Sequence, residues 1–124
     1  MLLNGYPFVN TSFEDPTLRL AADEMSALTR NRFPGAGNWE VKFAVEENLP
    51  SFEVRFENNV LTVAGPGAVE ILYGVYDFAE KILGYFFFEP GRDLLNASGA
   101  VELPEGVVIP ARKVPFKVRG FIQE

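Results

Sequence analysis

Hydrophobic and polar positions change period several times along the chain, and each change marks an element. Leu18, Ala21, Ala22, Met25 and Leu28 recur at helical spacing, opposed by Arg19, Asp23, Glu24, Ser26 and Arg30. Asp15 and Pro16 stand where an N-cap and a first helical residue belong, and Pro34-Gly35-Ala36-Gly37 supplies the stop and a loop. The period then falls to two. Trp39, Val41, Phe43 and Val45 alternate with Glu40, Lys42, Ala44 and Glu46, and Phe52, Val54 and Phe56 alternate with Glu53, Arg55 and Glu57. Asn58-Asn59 can hold the positive φ angles of a tight turn into residues 60–64, which predicts a three-stranded antiparallel meander. Further on, residues 101–109 read as one or two short strands broken at Pro104, Glu105 and Gly106, and residues 115–123 as another.

The stretch GPGAVEILYGVYDFAEKILGYFFFEPG, residues 65–91, admits three readings. A glycine-rich turn between a strand and a helix can cradle a phosphate, but here Pro66 removes a donor and Glu70 would repel the anion. A plain tight turn accounts for it better. A membrane span is excluded by Asp77, Glu80 and Lys81, which leave no apolar run of about 20 residues. The third reading is packing. On a helix over residues 67–83, Ile71, Val75, Phe78 and Ile82 form one apolar stripe, and Leu72, Tyr76, Ala79 and Leu83 form a second beside it. The polar face shrinks to Glu70, Gly74, Asp77 and Lys81. Seven of the 17 aromatic residues lie between Tyr73 and Phe88, so the helix is expected at the centre of the core. Gly74 predicts a close approach by a neighbouring element. The second stripe needs either the first helix or another domain against it.

Composition narrows the chemistry. A chain of 124 residues with 48% apolar and 23% charged residues predicts one globular domain. A net charge of −6 argues against nucleic acid as the main partner. The absence of both Cys and His removes thiol and imidazole catalysis, the common zinc sites and any disulfide, so no cofactor or metal is expected. What remains is carboxylates, hydroxyls, Lys and Arg. The acidic pairs Asp23/Glu24, Glu46/Glu47 and Glu53/Glu57 could meet the roughly 5–10 Å separation of a glycosidase, but each reads more simply as solubilising charge.

The run NVLTVAGPGAVEILYGVYDFAEKILGYFFFEPG resembles the N-terminal domain of alpha-glucuronidases and the related second domain of bacterial chitobiases and beta-hexosaminidases. Leu61 to Gly65, Gly67, Leu72-Tyr73-Gly74-Val75-Tyr76, Phe78, Glu80, Leu83-Gly84, Phe87 and Pro90-Gly91 carry the likeness. Ala21-Ala22-Asp23-Glu24 is similar to the family's early helix, and VPFKVRGFIQE to its entry into a catalytic (β/α)8 barrel. Tyr85-Phe86 departs from the family, which has a polar or basic residue after Leu-Gly, and the early loop is short.

The resemblance implies an accessory domain over residues 1–114, with residues 115–124 starting a following barrel. It implies a non-catalytic role in a glycoside-hydrolase-like protein, the barrel of the same parent chain as partner, carbohydrate as a further candidate partner, and a secreted or periplasmic bacterial parent. It carries one residue over: Arg119, as a sugar contact once a barrel surrounds it. Tyr73, Tyr76, Phe78 and Phe87 are the expected domain interface. The alternative is a free-standing carbohydrate-binding or protein-interaction module, with Trp39 and Tyr6 as the candidates to stack on a sugar ring. Trp39 also opens a buried alternation and competes as a core residue. The predicted fold is α+β: an antiparallel or mixed sheet of four to five strands with two main helices on one face.

Overall fold

A computed structural model of the protein describes residues 2–84 and 101–111. In chain order it contains β1 (Leu2–Leu3), β2 (Tyr6–Val9), α1 (Pro16–Arg32), β3 (Ala36–Val45), β4 (Glu53–Glu57), β5 (Val60–Gly65), α2 (Ala68–Phe78), a π-helical turn (Ala79–Leu83), β6 (Val101–Glu102) and β7 (Gly106–Ile109). Five strands form a mixed sheet in the order β2-β3-β5-β4-β7, and β1 pairs with β6 in a separate two-stranded ribbon. The α+β class is therefore as the sequence predicts.

Helix α1 starts where Asp15 and Pro16 place it. Asp15 Oδ1 accepts from the backbone N–H groups of Thr17 and Leu18 at 2.8 and 3.1 Å, which satisfies two of the donors a helix start leaves open. Ala21, Ala22, Met25 and Leu28 are buried, as their spacing predicts. The two asparagines behave as expected too: Asn58 and Asn59 have φ of 53° and 63°, and they close the β4–β5 hairpin.

The predicted meander is corrected. Strand β3 pairs with β5, in parallel, with Glu40 opposite Val60 and Ala44 opposite Ala64; β4 lies on the far side of β5. Alternation tells which face of a strand is buried and nothing about its neighbour. Of the three strands read from the sequence, β5 shows Val60, Thr62 and Ala64 on its second face, whereas β4 shows Glu53, Arg55 and Glu57, and the uncharged one lies between the other two. One further strand and one strand extension escape the pattern. Tyr6–Val9 adds a parallel strand beside β3, and the loop assigned to 34–37 yields Ala36 and Gly37 to the start of β3.

Both helices lie on one face of the sheet and run parallel to each other. The Tyr76 hydroxyl donates to the Glu24 carboxylate, and eight residues further along α1 the Arg32 Nε donates to the Leu83 carbonyl at 3.1 Å. The stripes of α2 sort accordingly. Ile71, Val75 and Phe78 are fully buried, and the second stripe meets α1, so the first helix supplies the cover its sequence demanded.

Gly74 shifts from the expected polar face to the buried one. A Cβ there would stand 2.8 Å from Val63 Cγ1 and 3.2 Å from Phe52 Cβ, the close approach its presence in a helix suggested. The helix itself departs from the expected 67–83: α2 ends at Phe78, and the last turn widens to π geometry.

Candidate functional site

Among the described residues two outer surfaces stand out, one on the helix layer and one on the face of the sheet away from the helices. They are built from different chemistry.

On the helix layer, the Glu24–Tyr76 hydrogen bond fixes which rows of α1 and α2 face each other. One turn back along each helix these rows carry Leu20 on α1 and Leu72 and Tyr73 on α2, with Val69 a further turn back on α2. Leu20, Val69 and Tyr73 are among the exposed large apolar residues, at 45%, 47% and 39% exposure. The result is an apolar row between two helices. Burial raises the Tyr76 phenol above its ordinary pKa, with the Glu24 charge and their hydrogen bond adding to the effect.

At the start of α2 the phosphate question closes. Gly67 is the N-cap, and Glu70 Oε1 lies 3.1 Å from where a Cβ of Gly67 would stand. No side chain caps this helix start by a hydrogen bond, but the Glu70 carboxylate stands in its first turn, where it complements the helix dipole and opposes a phosphate.

The sheet face away from the helices is charged and paired. Arg55 Nη2 donates to Glu46 Oε2 at 2.6 Å, and its Nε stands 3.1 Å from Glu53 Oε2. The hydrogen bond to Glu46 is the main cause that raises the Arg55 pKa; partial desolvation opposes it, and the charges of Glu46, Glu53 and Glu57 add to the rise. Lys42 Nζ lies 3.5 Å from Glu40 Oε2. Of the acidic pairs singled out in the sequence, Glu24, Glu46 and Glu53 thus each have a structural partner. None of those partnerships was visible from spacing.

The residues expected to meet a sugar or a partner fall in unlike places. Trp39 is 4% exposed and packs edge-on against Phe33 and Phe56, and its Nε1 donates to the Gly5 carbonyl at 2.7 Å. That corrects the stacking candidate: the indole is a core residue with its polar atom satisfied. Tyr6 is half-buried in β2, and the Arg30 guanidinium covers its ring at 4.4 Å from the centroid. Phe78 is fully buried beneath α2 and so belongs to the core, not to an interface. Tyr73 is exposed and Tyr76 half-buried, both on the helix layer. Phe87, Arg119 and the boundary at 114/115 lie outside the described residues.

The aromatic residue the sequence reading missed is Phe8, 69% exposed on β2 and opposite Glu40 in register. Beside it a depression of about 450 Å³ is lined by Phe8, Asn10, Phe13, Glu40, Lys42 and Phe43. Among the described residues, no helix is long and apolar enough to cross a membrane, and no cluster of acidic side chains is arranged to hold a metal ion. Comparison with protein-family models, curated proteins and solved structures finds no match to this chain.

Proposed function

We propose that this chain is a non-catalytic accessory domain of a carbohydrate-active protein, and that it rests its helix layer on a catalytic barrel of the same parent chain. The observation that carries the proposal is the apolar row Leu20, Val69 and Tyr73, exposed between two helices whose buried sides already fill the core. Tyr73 lies within the stretch that resembles the accessory domains of alpha-glucuronidases and beta-hexosaminidases. Engagement of Glu24, Glu46 and Glu53 with Tyr76 and Arg55 supports a structural rather than a catalytic role for those carboxylates. The contribution of such a domain is burial of apolar surface between units and a fixed wall beside the barrel.

The test is a paired measurement of thermal stability. Val69→Glu with Tyr73→Glu is expected to lower the Tm of a parent protein carrying the barrel, while leaving the Tm of the 124-residue chain unchanged. Equal effects in both, no effect in either, or a parent reading frame that encodes no barrel would overturn the reading.

A further inference from the structure

We infer that the depression at the β2–β3 edge is a saccharide-binding site, with Phe8 as the stacking platform and Asn10, Glu40 and Lys42 as the polar rim. The space exists because the strands differ in length. Strand β2 has its last pairing at Val9 with Val41, whereas β3 continues through Lys42, Phe43, Ala44 and Val45. The chain leaving β2 folds back over that gap. Phe13 packs on Phe43 with ring centroids 5.7 Å apart, and the Phe13 carbonyl accepts two hydrogen bonds from the Arg19 guanidinium at 3.0 and 2.9 Å. The far wall is therefore anchored to both β3 and α1, and the site is formed before a ligand arrives.

The lining selects a ligand class. Phe8 offers a flat apolar face, and its register opposite Glu40 sets that ring beside a carboxylate on the same side of the sheet. Lys42 and Glu40 neutralise each other, at 3.5 Å, yet remain 64% and 40% exposed, so donor and acceptor atoms face solvent without a net charge between them. Asn10 Oδ1 accepts from the Ser12 backbone N–H at 3.1 Å, which leaves its amide nitrogen to donate.

A fitting molecule needs one apolar flat face, a rim rich in both donors and acceptors, and no formal charge. A pyranose ring has all three. A phosphate-bearing ligand finds no net positive charge in the Lys42–Glu40 pair, and a lipid chain finds a polar rim and an open mouth. The volume of about 450 Å³ lies in the roughly 300–1,000 Å³ range of small-molecule sites. This site is on the sheet, away from the apolar row of the helix layer, so either proposal can fail without the other.

The experiment is amide-resolved NMR of the whole chain titrated with cellotriose, xylotriose and N-acetylglucosamine trimer into the millimolar range. Saturable shifts of the Phe8, Glu40 and Lys42 amides are expected with at least one of them. Phe8→Ala is expected to weaken that binding about tenfold or more and Glu40→Gln to weaken it less, both with the remaining spectrum unchanged because each side chain is exposed. A peptide of the Ala36–Val45 sequence serves as a probe for strand addition at the β2 edge. Absence of shifts at these amides with all three saccharides, equal binding by Phe8→Ala, or shifts with the peptide alone would overturn the inference.

Discussion

The two faces of one five-stranded sheet are held by opposite means. On the covered face, Trp39, Val41, Val54, Phe56, Leu61 and Val63 are buried under two helices, and the tolerance for added volume is nearly nil at Gly74. On the other face, Glu40 pairs with Lys42, and Arg55 with Glu46 and Glu53, all of them at least partly exposed. The first face defines the fold and the second is free to vary. Stability should therefore be concentrated on one side, and recognition chemistry accumulates on the side where substitution costs little.

The difference can be broken at graded strength. Phe56→Ala empties a fully buried ring site beside Trp39 and is expected to cost about 3–5 kcal/mol in denaturant unfolding. A value below about 1 kcal/mol would mean that the covered face does not carry the stability. Gly74→Val comes next. Its branched side chain must displace Val63 and Phe52, for about 1–3 kcal/mol, and the loss should shrink when combined with Val63→Ala, which reopens the space.

Tyr76→Phe removes the hydrogen bond to Glu24 and should cost about 1 kcal/mol at neutral pH. It also has a pH signature. The Tyr76 pKa is raised on folding, so the neutral phenol favours the folded state. That contribution is complete below the ordinary phenol pKa of about 10 and is lost as pH rises through the higher folded value. Wild-type protein should thus lose stability in the alkaline range more steeply than Tyr76→Phe, which chemical denaturation at several pH values would measure.

The smallest effect is expected on the open face. Arg55→Met, with the pair about a third exposed, should cost at most about 1 kcal/mol, and the cost should fall as salt is added. A larger, salt-insensitive loss would mean that the open face contributes to the core after all.

Local signals in the sequence proved sufficient for local structure. Asp15-Pro16 marks a helix start because the cap is satisfied by neighbours two and three residues away, and Asn58-Asn59 marks a turn because only a few residue types accept positive φ. Gly74 announced a contact but not with whom, since Val63 and Phe52 reach it only through the fold. Strand order was invisible for the same reason: a period of two is shared by β3, β4 and β5, and the pairing depends on which can sit between two others. Strand β2 went unread because Tyr6–Val9 is four residues long and contains Pro7, too little for a pattern. In the site, Trp39 attracted attention by its size, whereas Phe8 acquires meaning only from the strand that pairs with it.

The parallel arrangement of α1 and α2 gives the helix layer a head and a tail. Antiparallel helices cancel their dipoles, but these two add, and the side chains follow the same direction: Asp15 and Glu70 at the starting ends, Arg30 and Arg32 in the last turn of α1. Apolar contact alone would let a partner lie along the groove either way round. An electrical axis along the same groove distinguishes the two, so this surface can specify the direction in which a neighbour docks as well as the place.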